Sequence, residues 1–460
     1  FNEITLERGQ VQQSNFHNYR QLRINEAPGV EVHIVPSSED PGGVGETGTA
    51  LIGPALLNAL AAASGERLSL HVQADDQALI ERGKYLAAAA DCVACHTVPG
   101  GEPFAGGVEF KLPFGSLYSP NITPDKQTGI GDWSDADFLS ALHEGVGKDG
   151  KRYYPAFPYT SYTLMPDDEV QAIKAYLFSL QPVSNTVPEN TLGFPYNQRW
   201  GMFFWNLVFH DNERFEPDPS QSDAWNRGAY LVEGPGHCGE CHTPRNFAQA
   251  LSSSQPLAGN LVQGWQAYNI SSDPAHGIGA WSPAELVSYL GKGYAPGKGV
   301  ASGPMGDVVS HSLRHLSNED LSAIATYLLT TEPQSAGVTR PDPVSAIAEP
   351  VSDAGLGGQL FAGACAGCHS WDGSGTQSPV ATLSGLKTVN DPAGTNLLNI
   401  LLRGHTAPEL RVDQQMPNFA KAYQDAELAA VGSFVLQHFG QTGASLSADD
   451  VAARRGNTGH

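Results

Sequence analysis

The chain has 460 residues, with 48 acidic against 26 basic side chains and a formal charge of −22, which excludes a nucleic-acid binder because phosphate contact needs a basic surface. The same charge favours solubility and a partner with a basic patch. Glycine and proline number 51 and 32 while only 16% of residues are charged, which suits loop-rich domains wrapped around a large apolar group; the length predicts roughly three domains, and no apolar run approaches the roughly 20 residues of a spanning helix.

Residues 1–72 open at Phe1 rather than Met, so the start reads as processed or truncated. Val30, Val32 and Ile34 alternate as a strand. Gly42-Gly-Val-Gly-Glu46 then forms a glycine-rich turn that delivers one acid, and residues 50–63 read as a helix ending near Gly65. Taken alone, an acid after such a turn is usually just solvated.

From residue 73 onward one plan recurs. Helices are predicted over 80–90, 225–232 and 355–362, each with a glycine and an aromatic: Gly83 and Tyr85, Gly228 and Tyr230, Gly358 and Phe361. A small residue there lets the helix pack closely on a second one. After a shared Gly-x-Trp-Ser, Ser134-Asp-Ala-Asp137 and Ser282-Pro-Ala-Glu285 read as N-caps with an acid three positions on. Apolar residues follow at helical spacing in Phe138, Leu139 and Leu142, and in Leu286, Tyr289 and Leu290. Closing helices are expected over 168–180, 318–329 and 425–439.

Between the paired helices stand Cys92-Val-Ala-Cys95-His96, Cys238-Gly-Glu-Cys241-His242 and Cys365-Ala-Gly-Cys368-His369, which use all six cysteines. C-x-x-C-H is the attachment motif of c-type haem. The two sulfurs bond the vinyl groups at the porphyrin edge, and the adjacent histidine becomes the proximal iron ligand. A redox C-x-x-C or half a zinc site would not require a histidine after every second cysteine. The chain is therefore expected to carry three covalently bound haems c. Covalent attachment takes place outside the bacterial cytoplasmic membrane, which implies the periplasm. No cysteine is left for a disulfide or an iron–sulfur cluster.

Three of the four methionines lie downstream of a motif, in Leu164-Met165-Pro166, Pro304-Met305-Gly306 and Gln415-Met416-Pro417. Flanking Pro and Gly suit a ligand presented from a loop. Methionine opposite histidine is an electron-transferring ligation that raises the reduction potential. A lone methionine is more often core filler, but one per motif assigns Met165, Met305 and Met416 to the three irons. The twelve other histidines, among them His276, His315 and His405, are the alternative axial ligands.

Pro-rich stretches at 181–195, 216–222 and 332–354 act as linkers. The run Arg199-Trp-Gly-Met-Phe-Phe-Trp-Asn-Leu-Val-Phe-His210 is too short to cross a bilayer. It either packs between haem domains or docks on a partner or membrane surface.

Residues 73–440 resemble the triheme cytochrome c subunits of periplasmic membrane dehydrogenases for alcohol, gluconate, sorbitol and aldehyde. The carriers are Tyr118-Ser-Pro-Asn-Ile-Thr-Pro124, Thr128-Gly-Ile-Gly-Asp-Trp-Ser134, Tyr154-Pro-Ala-Phe-Pro-Tyr-Thr-Ser-Tyr162 and Cys241-His-Thr-Pro-Arg245. The first 72 residues instead resemble the C-terminus of the molybdenum-binding subunit of molybdenum hydroxylases of the isoquinoline oxidoreductase, nicotinate dehydrogenase and membrane aldehyde dehydrogenase group. Phe16-His-Asn-Tyr19, Val30-Glu-Val-His-Ile-Val-Pro36 and Gly42-Gly-Val-Gly-Glu46 carry that likeness.

Together the resemblances imply a mainly α chain: a small α/β segment, 1–72, that completes a molybdopterin-binding domain, followed by three tandem cytochrome c domains at 73–181, 223–333 and 352–441. Linkers at 182–222 and 334–351 and a tail at 442–460 complete the division. By the same resemblance Glu46 is the catalytic base that activates a hydroxyl ligand of molybdenum. Seventy residues cannot hold a molybdopterin, so the rest of that domain lies upstream or in a separate chain. The implied partners are that molybdenum-binding remainder, a small 2Fe–2S subunit linking molybdenum to haem, and ubiquinone or a terminal oxidase as acceptor, with peripheral contact at the outer face of the cytoplasmic membrane. The rival reading is a cytochrome subunit serving a quinoprotein or flavin dehydrogenase. A peroxidase or free shuttle fits less well, because three His/Met pairs leave no open iron position.

Overall fold

A computed structural model describes residues 76–339, 355–375, 380–405, 415–440 and 442–456 in full, with the backbone of 6–7, 10–11 and 71–75. The chain divides into units 1–71 and 72–460. In the first unit, β1 (Leu6–Glu7) pairs antiparallel with β2 (Gln10–Val11). The expected strand at 30–34, the helix at 50–63 and Glu46 lie outside the described residues.

The second unit is mainly helical and repeats one arrangement. It begins with α1 (His71–Ala89), α2 (Cys92–His96), the hairpin β3 (Glu109–Leu112) and β4 (Gly115–Tyr118), α3 (Asp135–Glu144), α4 (Tyr159–Tyr162) and α5 (Asp167–Ser179). After α6 (Gly201–Phe209) come α7 (Asp223–Glu233), α8 (Cys238–His242), the hairpin β5 (Asn260–Val262) and β6 (Trp265–Ala267), and α9 (Pro283–Lys292). The hairpin β7 (Tyr294–Ala295) and β8 (Gly299–Val300), α10 (Pro304–His311) and α11 (Asn318–Leu328) follow. The last part holds α12 (Gly355–Ala364), α13 (Ala366–His369), α14 (Lys387–Asn390), α15 (Thr395–Arg403), α16 (Asp425–His438) and α17 (Ala448–Arg455).

Ser134 and Ser282 cap α3 and α9 through full capping boxes with Asp137 and Glu285, as the spacing predicts. The helix before each cysteine motif crosses the closing helix at a glycine. A Cβ on Gly83 would lie 1.8 Å from the Ala172 carbonyl oxygen, on Gly228 2.0 Å from that of Ala323, and on Gly357 2.2 Å from that of Ala430. Backbone therefore meets backbone at each crossing, beside Tyr176, Tyr327 and Phe434 in turn. The third contact is made by Gly357, one residue before the expected Gly358.

The first two repeats share one apolar core, in which Leu86, Phe138, Ile173 and Leu177 are continuous with Leu231, Leu286, Ile324 and Leu328. The third has its own core around Phe361, Leu398, Leu428 and Leu436. Each such buried side chain contributes about 1.5–3 kcal/mol. A reciprocal polar network clamps the first two repeats. Glu169 accepts from Arg82 of its own repeat at 3.1 Å and from the Tyr230 hydroxyl of the next. Asp320 accepts from Arg227 of its own repeat at 2.8 and 2.7 Å and from the Tyr85 hydroxyl of the first at 2.6 Å. The residues after 442, assigned as a tail, include α17, whose Ser447 cap and fully buried Val451 seat it on α15 and α16.

Candidate haem sites

Each histidine that ends a motif is held in the same way. The Nδ1 atom of His96 lies 2.8 Å from the Pro120 carbonyl oxygen, that of His242 2.7 Å from Tyr268, and that of His369 2.6 Å from Ala381. An Nδ1–H donating to a carbonyl fixes the tautomer and leaves Nε2 with its lone pair, the arrangement that orients a metal-ligating imidazole. Burial pushes all three imidazoles below their ordinary pKa, against the opposing effect of that hydrogen bond, which favours the neutral ligand form.

A glycine in the left-handed region braces each histidine. Gly106, Gly259 and Gly375, with φ of 74°, 97° and 72°, donate their N–H groups to the histidine carbonyls at 2.8, 2.7 and 3.2 Å. Added Cβ atoms would strike the same segments that accept from Nδ1, at 2.4 Å from the Pro120 carbonyl carbon and 2.6 Å from that of Ala381. The turn after Pro120 is fixed by Asn121, whose Oδ1 accepts from the Thr123 N–H and hydroxyl; Asn269 does the same with Ser271. Asn121 lies in the 118–124 stretch that carries the family likeness, but no role was read from sequence for it, for Asn269 or for the three glycines. The repeated Asn-Ile after Pro120 and Tyr268 was the available signal.

All six cysteines are free of disulfides. Burial pushes the Cys92 and Cys238 thiols up to about 12 and that of Cys365 to about 11, away from the direction that activates a redox thiolate. The residues before the first two motifs, Asp91 and His237, adopt left-handed backbone with φ of 49° and 35° and turn the chain into α2 and α8.

Met165 sits in the loop between α4 and α5, fully buried in the apolar cluster against which Cys92 packs. Met305 lies at the start of α10 rather than in the expected loop, because Pro304 suits a first helical turn. Met416 forms an isolated bridge with His405, through hydrogen bonds of 2.9 and 3.0 Å. One continuous cavity joins Cys238, Cys241, His242 and Met305 to Cys365, Cys368, His369 and Met416. The second and third motifs thus open onto a shared, mostly apolar space with the donors a covalently held haem needs. Of the alternative histidines, His276 bonds Asp273 and His315 faces the Ser310 carbonyl. His405 lines the cavity, with Nδ1 3.0 Å from the Ser302 hydroxyl and a buried Nε2 that has no hydrogen-bond partner among the described residues.

The family described as cytochrome c matches residues 80–181 and 354–439. The gluconate 2-dehydrogenase cytochrome c subunit of Pantoea cypripedii is 39% identical over 412 residues, covering 84% of this chain and 92% of its own. The chain belongs to the cytochrome c subunits of dehydrogenases. It is the electron-transfer part of an oxidoreductase and not a complete enzyme alone. A subunit of the nicotinate dehydrogenase of Pseudomonas putida is 43% identical over 376 residues, 79% of this chain, yet the match spans only 30% of that relative. A 65-residue stretch, 14% of the chain, is 38% identical to the beta chain of isoquinoline 1-oxidoreductase from Brevundimonas diminuta and covers 8% of it.

Proposed function

We propose that this cytochrome is the triheme electron-transfer portion of a periplasmic molybdenum-dependent dehydrogenase for an aldehyde or N-heteroaromatic substrate. The observation that carries the three-haem reading is the thrice-repeated histidine–carbonyl–glycine arrangement at His96, His242 and His369. Cys92 and Cys95, Cys238 and Cys241, and Cys365 and Cys368 would form the thioethers. Met165, Met305 and Met416 would supply the further iron ligands. A haem so held supplies one-electron redox chemistry. The protein's part is to orient the imidazoles through Pro120, Tyr268 and Ala381, to exclude water with apolar walls, and to hold the second and third sites against one cavity.

On the donor side the reading places molybdopterin, contacted by residues 1–72 with the rest of the molybdenum domain, and a 2Fe–2S partner subunit. On the acceptor side it places ubiquinone or a terminal oxidase. Support comes from the nicotinate dehydrogenase relative, whose length leaves room for a further domain, and from the 65-residue likeness to the isoquinoline enzyme, close in length to the segment that carries Glu46. The second reading, a cytochrome subunit for an alcohol or sugar dehydrogenase of another cofactor type, draws on the gluconate relative, which the chain matches almost end to end.

Metal analysis of the natively purified complex separates the two. About seven iron atoms per molybdenum fit three haems and two 2Fe–2S clusters. Iron equal to haem, with no molybdenum in an intact complex, favours the second reading and removes the role of Glu46.

A further inference from the structure

Helix α6 is apolar on both sides, but among the described residues only one side is covered. Its inward face is fixed along its length. Met202 is buried, the Trp205 indole donates to the Ala248 carbonyl at 2.9 Å, and Asn206 Oδ1 accepts from the Tyr159 hydroxyl at 2.7 Å. His210, just beyond the helix, lies 2.8 Å from the His143 carbonyl oxygen through Nε2. The opposite face carries Trp200, Phe203, Phe204, Leu207 and Val208, at the i, i+3, i+4, i+7, i+8 spacing of a single stripe. It points to solvent, with Trp200, Leu207 and Val208 each 68–71% exposed. Eleven large apolar side chains are exposed among the described residues, and six of them fall between 196 and 208. Such a concentration marks a contact surface rather than scattered exposure.

Its chemistry selects the partner. Residues 200–209 carry no charge, and their one amide side chain, Asn206, is turned inward. A protein interface needs about one hydrogen bond per 100–200 Å², and this stripe offers aromatic and aliphatic surface instead. Two bases flank its N-terminal end in a chain of charge −22: the Arg152 guanidinium lies 5.1 Å from the centre of the Phe203 ring, and Arg199 lies 4.8 Å from that of Tyr154. The acids Asp211 and Glu213 follow only beyond the other end. Rigid aromatic and aliphatic side chains with arginines at the rim match the boundary between acyl chains and anionic headgroups. No described helix is long and apolar enough to cross a membrane; at nine residues α6 itself can only lie along a surface.

We propose that α6 seats the protein on an anionic bilayer surface through Trp200, Phe203, Phe204, Leu207 and Val208. The inference rests on the periplasmic placement at the membrane but not on molybdenum, so it stands or falls separately from the metal analysis.

The test is flotation of the full-length holoprotein with phosphatidylcholine vesicles, with and without phosphatidylglycerol. Wild type should float, more strongly with phosphatidylglycerol. The variant Phe204→Ser with Leu207→Ser, both outward-facing, should lose about tenfold or more of the bound fraction with haem absorbance and circular dichroism unchanged. Hydrogen exchange of wild type gives a second readout that needs no variant: vesicles should protect 200–209 but not the exposed Leu261 or Leu356. Wild type that stays unbound, a variant that floats equally, or vesicle protection elsewhere would overturn the proposal. Loss of a partner subunit from the variant with vesicle binding intact would assign the stripe to a protein instead.

Discussion

Gly357 and Gly363 lie in the same helix, α12, yet replacing each with alanine should have opposite effects. A Cβ on Gly357 would sit 2.2 Å from the Ala430 carbonyl oxygen and 2.9 Å from the Phe434 Cβ, and backbone cannot swing aside as a side chain can. Helices α12 and α16 must separate, opening the core around Phe361, Leu428 and Leu436. Overpacking of this kind costs about 1–3 kcal/mol, here at the upper end, while alanine returns about 1 kcal/mol of helix propensity. The net loss is about 2 kcal/mol, or roughly 30-fold in an equilibrium. Gly363 has nothing within 4 Å, so Gly363→Ala should be neutral or stabilising by up to about 1 kcal/mol. Native-state hydrogen exchange of the α12 and α16 peptides reads local opening directly. It should show protection lower by about 30-fold in Gly357→Ala and unchanged or higher in Gly363→Ala. Equal responses in the two variants would refute the close-crossing argument, and with it the same reasoning at Gly83 and Gly228.

The clamp between the first two repeats makes a pH-dependent prediction. Burial works against the charge of Asp320, but hydrogen bonds from Arg227 and Tyr85 outweigh it and hold the carboxyl below its ordinary value. A depressed folded-state pKa gives stability that is present above the unfolded pKa of about 4 and lost as pH falls through the folded value. Asp320→Asn should therefore destabilise by about 3 kcal/mol at pH 7 in urea titrations and by progressively less as pH falls below about 4; a pH-independent loss would point to packing instead. Met416→Ala should open one iron position, so that carbon monoxide binds about a third of the ferrous haem and that haem's potential falls. Absence of carbon monoxide binding would put His405, whose Nε2 has no partner among the described residues, in the ligand's place. Glu46→Gln should lower turnover of the intact complex by about 10²–10⁴ with haem spectra unchanged. Undiminished turnover ends its role as base.

The legible parts of the fold were those written in short stretches of chain. The cysteine–histidine motifs, the capping boxes at Ser134 and Ser282 and the closing helices needed only local spacing, and each appears within a residue or two of its expected place. Gly83 and Gly228 were readable as contact points because a small residue within the helix before each motif implies close approach. The third contact slipped by one residue because Gly357 and Gly358 are adjacent and only the Ala430 backbone distinguishes them. Features that depend on distant segments stayed hidden. The exchange of tyrosines between Glu169 and Asp320 joins residues far apart in the chain, and the cavity shared by Met305 and Met416 arises where distant segments meet. The aromatic stretch at 199–210 left packing and docking open because α6 packs through one face and leaves an apolar stripe exposed on the other.

The central claim is that the histidine–carbonyl–glycine arrangement occurs three times because three haems are bound, although the cytochrome c family matches only 80–181 and 354–439. Intact-mass measurement of the natively purified chain under denaturing conditions counts covalently attached groups directly. Three haem increments per chain, one of them lost in the Cys238→Ala, Cys241→Ala double variant, are predicted. Two increments, unchanged in that variant, would contradict the account.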